Sequence, residues 1–324
     1  MVPTRDHDTL PQIMSARILL TGKNGQVGAA LCRLLPPLGE LIAPDHAELD
    51  LAKPADIRRA VRECQPNLIV NAAAYTAVDR AEQDAAVAQA VNAEAPAILA
   101  EEAKKSGSVL VHYSTDYVFD GKKDSPYDEA DAPNPLNVYG KSKLAGERAI
   151  QSSGVSYLIF RTSWIYGRRG RNFLLTILRL ATEREELRVV SDQIGAPTCS
   201  SEIAAGTARV LGQVAGKGTI DAASLSSVSG IYHMTARGAT SWFDFAESIL
   251  QESHAIPPET PWFLAATEGR PLIAQRVTAI ASKEYPTSAL RPAYSVLSNS
   301  RLGRTFGVRL PDWRTQLQAV FREA

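Results

Sequence analysis

The segment "RILLTGKNGQVGAALCRLL", residues 17–35, constrains this chain more than any other. A short apolar run stops at Gly22, and glycine recurs at Gly25 and Gly28. An amphipathic stretch follows, in which Val27, Leu31, Leu34 and Leu35 share one helical face. A strand that passes into a helix through such a turn leaves backbone N–H groups bare at the helix start. No side chain then blocks a pyrophosphate from the positive end of the helix dipole. Few folds place a glycine turn in that context, and nearly all of them begin with a parallel strand.

The same rhythm continues. "ELIAPD" reads as a second strand, "KPADIRRAVRECQP" as a helix stopped by Pro66, and "NLIVNAAA" as a third strand. "APAILAEEAKKSG" is a helix with basic residues in its last turn, and "SVLVHYST" is the next strand. Another helix and the strand "VSYLIFRTS" complete the series. The strands are continuous apolar runs, as a parallel sheet covered on both faces requires. The expected fold is α/β, a doubly wound parallel sheet of Rossmann type with a smaller C-terminal part. Residues 16–165 form the dinucleotide domain, and segments within about 186–235 return to it. Residues 166–324 mainly bind substrate. "GKGTIDAASLSSVSG" reads as a loop, and residues 1–15 as a disordered extension, with Met14 an alternative start.

Charge and cysteine content narrow the function. The 324 residues carry 35 basic and 35 acidic side chains, so neither a nucleic-acid nor a membrane partner is expected. Cys32, Cys64 and Cys199 are odd in number and scattered, and the five histidines show no ligand spacing. No disulfide framework or metal site follows, and the compartment reads as reducing and cytoplasmic.

The chemistry-bearing residues lie at strand ends and helix starts. Ser114, Thr115 and Asp116 close the strand "SVLVHYST" at its carboxyl end, where open parallel sheets bind ligands. Tyr139 and Lys143 are four apart on a helix and share a face. An ammonium beside a phenol favours the phenolate and lowers its pKa, so the pair can pass a proton to a carbonyl oxygen that Thr115 also holds. Tyr-x-x-x-Lys alone is an ordinary exposed helix; with the glycine turn and the Ser-Thr strand end it is specific. Asp45 follows the second strand and can take the adenosine ribose, and Asp50-Leu51 can flank the adenine. For either aspartate alone, a solvated loop carboxylate is an equal reading.

With these residues in view, the chain resembles the extended short-chain dehydrogenase/reductases. The G-x-x-G-x-x-G spacing is of that type. Within them it is most similar to the dTDP-4-dehydrorhamnose reductase family, through "GKNGQVG", "NAAAYTAVDRAEQD", "STDYVFDG", "VYGKSKLAGE", "RTSWIYG", "DQIGAPT" and "LPDW". The resemblance spans nearly all of residues 16–313. It implies Thr115, Tyr139 and Lys143 as the catalytic set. It implies that Gly25, Gln26 and Val27 cradle the cofactor phosphates, between Gly22 and Gly28. Asp50 and Leu51 would border the adenosine. Ala73, Ala74, Tyr75, Thr76 and Tyr113 would line the cofactor, with Tyr139 and Lys143 also touching it. Thr115 and Asp116 would hold substrate, and Trp164 would pack on the sugar nucleotide.

The implied reaction reduces the C4 ketone of a dTDP-4-keto-6-deoxy sugar, dTDP-4-dehydro-L-rhamnose, to dTDP-L-rhamnose. Asp45 favours a free ribose hydroxyl and His46 offers a cation for a phosphate; NADPH and NADH are both admissible, and the resemblance implies NADPH. Some members form metal-bridged dimers through a glutamate just after the turn. Ala29 and Ala30 stand there, so no metal is expected, and the chain is a monomer or homodimer. Arg168, Arg169 and Arg171 offer local positive charge for a diphosphate. Two further readings share the fold: a non-catalytic, dinucleotide-binding regulatory subunit, and a nucleotide-sugar epimerase or dehydratase.

Overall fold

Short, continuously apolar segments become the centre of the molecule because both faces of the sheet they form are covered. The computed structural model describes residues 16–215 and 220–322. The extension expected over 1–15, and residues 216–219 of the expected loop, lie outside them. The strands β1 (Arg17–Thr21), β2 (Glu40–Ile42), β3 (Leu68–Asn71), β4 (Val109–Thr115) and β5 (Tyr157–Thr162) join a later strand, Gly230–His233. Every pairing is parallel, in the order Gly230–His233, β5, β4, β3, β1, β2. This is the α/β doubly wound sheet that the sequence predicts.

The apolar residues of each strand divide between two cores. Ile18 and Leu20 of β1 face helices α1 (Gln26–Leu34) and Ser200–Ala215, while Leu19 faces α2 (Pro54–Cys64) and the helix Ala95–Ser106. The two-residue strand period explains this division. All seven residues of β4 are buried. The chain leaves β1 towards the edge strand β2 and returns across it to β3. The crevice between the carboxyl ends of β1 and β3 is therefore the switch point where such sheets bind ligands.

Beyond residue 165 the helices Phe173–Ala181, Trp242–Ser253 and Trp313–Arg322 build a separate apolar core around Tyr166, Leu174, Phe245 and Leu317. Glu186–Val190 does not enter the large sheet; it pairs in parallel with Arg276–Ile280 beside this second core. The segment read as a glycine-serine loop contains a short helix, Ala222–Ser226, started by a capping box at Asp221. Its composition hid the helix because serine and alanine carry no apolar period.

Candidate active site

The glycine turn is built for close approach. Gly22 has φ +77°, and a Cβ there would lie 2.7 Å from the backbone nitrogen of Ala73. A Cβ on Gly28 would lie 2.0 Å from the Gly22 carbonyl oxygen, so Gly28 does not line the cleft but lets α1 press against the turn. Gly25 caps α1 without a side-chain hydrogen bond, and the first turn holds no acidic residue. The N–H groups at the helix start are therefore free for an anion.

Two cavities meet over this turn, sharing Gly22, Asn24, Gly25, Ala73 and Ala74. The one of about 470 Å³ lies beside β2 and is lined by Asp45, Asp50, Leu51 and Tyr75. The other, of about 690 Å³, runs over the sheet edge and is lined by Gln26, Val27, Thr76 and Tyr113. Its far half gathers Thr115, Asp116, Tyr139, Lys143 and Trp164. Apart from Gly28 and two of the three arginines, every residue singled out from the sequence for the site borders one continuous cleft. Of the three arginines, only Arg171 lines it. The Arg168 guanidinium donates to the Val320 carbonyl at 2.6 and 2.9 Å, behind α1.

The helix Val138–Ser153 starts where it does because the Asn137 side chain accepts from the Gly140 N–H at 2.8 Å. That start puts Tyr139 in the first turn and Lys143 one turn deeper, where it is only 2% exposed. Thr115 donates to the Asp116 Oδ1 at 3.0 Å and accepts from the Tyr117 N–H at 3.2 Å, so its hydroxyl is held in place. Two polar atoms in this region have no partner among the described residues: Ser114 Oγ and Asp116 Oδ2. Both residues line the cavity. Buried polar atoms without partners are costly, so a hydroxyl-bearing ligand is the natural complement.

The electrostatics correct one expectation. The Tyr139 phenol is not drawn down by Lys143. Burial pushes its pKa up to about 12, the Thr115 hydroxyl opposes this, and the Asp116 charge adds to it. The Lys143 ammonium is engaged elsewhere: Nζ donates to the Tyr113 carbonyl at 2.6 Å and meets His112 Nε2 at 3.2 Å. Burial lowers the Lys143 pKa to about 8, with Glu147 pulling the other way. Burial also raises the Asp116 carboxyl to about 6, an effect that the nearby Ser295 and Thr115 hydroxyls oppose.

Several neighbours escaped the sequence reading. Lys23 lines the cavity beside β2, with Nζ 3.9 Å from Asp45 and 3.7 Å from Glu48. Asp45 meanwhile accepts from the N–H groups of Ala47 and Glu48, so its carboxylate is partly committed to its own turn. Asn92 accepts from the Tyr75 N–H and donates to the Tyr75 carbonyl, both at 2.9 Å, and donates to Ser142 at 3.1 Å. It locks the loop that follows β3 to the Tyr139 helix. Trp242 stacks on Trp164 with ring centroids 3.4 Å apart and planes within 4°. Trp164 itself holds φ +46°, unusual for a side chain of its size. None of these contacts has a local signal; only the lysine inside the glycine turn could have been noticed.

The chain as a whole has close relatives. The sequence family described as RmlD substrate binding domain matches residues 16–324. A dTDP-4-dehydrorhamnose reductase of Burkholderia thailandensis is 48% identical, over 95% of this chain and 98% of that protein. One from Escherichia coli is 43% identical, over 94% and 97%. The crystal structure of dTDP-4-dehydrorhamnose reductase from Bacillus anthracis in complex with NADP superposes with a TM-score of 0.82, at 33% identity, over 96% of this chain and all of that one. By its sequence over nearly its full length and by its fold, this chain belongs to the dTDP-4-dehydrorhamnose reductase family.

Proposed function

We propose that this protein reduces the C4 ketone of dTDP-4-dehydro-L-rhamnose to dTDP-L-rhamnose, with NADPH as reductant. The observation that carries the reading is the meeting of Thr115, Tyr139 and Lys143 with the glycine turn in one cleft. The relatives' names supply the sugar, and the retained reacting set weighs against a regulatory subunit. In this reading residues 16–165, with the strand Gly230–His233, hold the dinucleotide, and residues 166–324 mainly hold the sugar nucleotide. The protein acts in the cytoplasm as a monomer or homodimer.

The nicotinamide, when bound, supplies hydride to the ketone carbon. The chain's own residues manage the oxygen. Tyr139, with its pKa raised to about 12, is fully protonated at neutral pH. A phenol remains a stronger acid than the alcohol being formed, so the alkoxide that arises as the carbonyl is reduced takes the proton downhill. Thr115, at the carboxyl end of β4, is placed to share the same oxygen. Ser114 Oγ and Asp116 Oδ2 are available to the ring hydroxyls. Trp164, held between Trp242 and Gly195 at the wall of the cleft, would pack on the sugar nucleotide.

The choice of NADPH rests on Lys23 and on the NADP complex of the Bacillus anthracis relative. A cation beside the ribose pocket suits a 2′-phosphate; His46 lines the same cavity but is 85% exposed, with Nδ1 3.9 Å from Asp50. Lys23→Ala is expected to weaken NADPH binding by about tenfold while leaving NADH binding within a factor of about two. Titration with each dinucleotide checks this, and equal losses for both would remove Lys23 from the discrimination.

Asp116 predicts a pH dependence. Its folded pKa, about 6, is raised above the usual carboxylate value, so the charged form exists only above that pH. Substrate KM is expected to fall by several-fold as pH rises from about 5 to 7, and the dependence should vanish in Asp116→Asn. The same shift costs stability progressively as pH rises from the unfolded value to about 6. A wild-type KM flat across that window would show that Asp116 does not meet the substrate as a carboxylate.

The test of the function is direct. Purified protein, NADPH and the 4-keto sugar are mixed, NADPH absorbance is followed, and the product is identified by NMR. Loss of absorbance with dTDP-L-rhamnose formed is the expected result. Flat absorbance with dinucleotide bound would favour a regulatory subunit. Full-occupancy dinucleotide with no net oxidation would favour an epimerase.

A further inference from the structure

A lysine buried to 2% exposure needs partners, and those of Lys143 are unusual. The nearest carboxylate on its own helix, Glu147, is bonded twice by Arg161 of β5, at 2.9 and 2.6 Å. That charge is already matched. What touches Lys143 Nζ is the Tyr113 carbonyl and the imidazole of His112, itself only 1% exposed. The imidazole continues into a chain. His112 Nδ1 lies 3.1 Å from Asn71 Nδ2 on β3, and Asn71 Oδ1 accepts from the Thr21 hydroxyl on β1 at 2.7 Å. Four buried side chains from three adjacent strands and one helix thus form a single polar line ending at the lysine. Two further ionisable groups, Tyr139 on the same helix and Asp116 just after β4, line the same cavity as Lys143.

This line has two self-consistent arrangements. In the first, the Lys143 ammonium donates to His112 Nε2, so His112 carries its proton on Nδ1 and donates it to Asn71 Oδ1. The Asn71 amide then donates to the Thr21 oxygen. In the second, Lys143 is the neutral amine and accepts from His112 Nε2–H, while Nδ1 accepts from the Asn71 amide and Thr21 donates to Asn71 Oδ1. The amide can turn over without loss, because a threonine hydroxyl both donates and accepts. Passing from the first arrangement to the second releases one proton to solvent and leaves His112 neutral throughout.

We propose that Thr21, Asn71 and His112 form a two-state relay that holds Lys143 Nζ in place and sets its protonation state, making His112 a positioning residue for the proton chemistry at Tyr139. A buried histidine that merely fills space would have no reason to take its tautomer from the lysine. The proposal rests on the assignment of Lys143 to the reacting set, but its first test needs no turnover, so the two can fail separately.

That test is ¹⁵N NMR of the intact protein with labelled histidine, the His112 signals being assigned with His112→Gln. The imidazole proton is expected on Nδ1 at neutral pH and on Nε2 once Lys143 has lost its proton, with the change centred near the lysine pKa of about 8. In Lys143→Met the tautomer should not change with pH. A wild-type tautomer constant from about pH 6 to 10 overturns the proposal.

Kinetics give an independent readout through the alkaline limb of kcat. Asn71→Asp can only accept from His112 Nδ1–H, which favours the ammonium, and should move the limb up by about one pH unit. His112→Phe removes the ammonium's acceptor and should move it down by about as much, with His112→Gln restoring it through its amide oxygen. Variants that lower kcat at every pH while the limb stays put would reduce the chain to a structural role and overturn the relay.

Discussion

Tyr139→Phe is expected to fold and to bind NADPH as the parent does, while losing about 10²–10⁴-fold in kcat. The ring stays, so its edge-to-face contact with Tyr117, at a centroid distance of 5.7 Å, is kept. The helix start is set by Asn137 and does not depend on the phenol. What goes is the one acidic O–H beside Thr115. Asp116 cannot replace it at neutral pH, because its carboxyl titrates at about 6 and is mostly ionised there. Dinucleotide titration together with steady-state kinetics separates binding from chemistry. A kcat near the parent's would take the proton-donor role from Tyr139.

Lys143→Met should have two effects of opposite sign. Turnover is expected to fall by at least 10²-fold, since the amine of the proposed reacting set is removed from the cleft. Stability should rise. The folded pKa of Lys143, about 8, lies below its unfolded value of 10.5, so the native state binds fewer protons than the unfolded chain between those pH values. The cost of burying the charge is therefore present in full below about pH 8 and disappears as pH approaches the unfolded value. Methionine has a similar length and no charge. The gain at neutral pH is expected to be on the order of 1–3 kcal/mol, after the lost bonds to Tyr113 and His112 are counted. It should shrink steadily with rising pH. Thermal melts of both proteins across that range check the sign, and a variant that melts below the parent at neutral pH would show that the hydrogen bonds of Lys143 outweigh its desolvation.

The opposition between function and stability at Lys143 has a general basis. A buried amine without a matched counter-ion is a poor structural element, and such groups persist where chemistry uses them. The orphaned Ser114 Oγ and Asp116 Oδ2 follow the same logic at the substrate end of the cleft. Among the described residues, no group of three or more histidine, cysteine, aspartate or glutamate side chains could hold a metal ion. No helix among them is long and apolar enough to cross a membrane.

Much of this molecule was legible in the amino-acid order because the signals are local. A strand buried on both faces must be apolar throughout, so "RILLT", "LIVN" and "VLVHYST" announce themselves, and parallel pairing follows from the helices between them. Gly22 is demanded by its own backbone angle and by the nearness of Ala73. Tyr139 and Lys143 share a face through helix geometry alone. The positions of Thr115 and Asp116 in the cleft followed from the rule that parallel sheets bind ligands at their carboxyl ends, and Trp164 was implied only by the family resemblance.

The three-dimensional arrangement decided what depends on distance between remote residues. Lys23 meets Asp45 in the cavity beside β2, Trp242 reaches Trp164 from a distant helix, and Asn92 locks Tyr75 to the Tyr139 helix only once the layers close. It also reversed the expected acidity of Tyr139. Four-residue spacing shows that a phenol and an amine can meet, but desolvation and the direction of the Lys143 ammonium decide whether they do. Both depend on the burial created by β4 and β5, and on a His112 imidazole whose importance no local pattern could reveal.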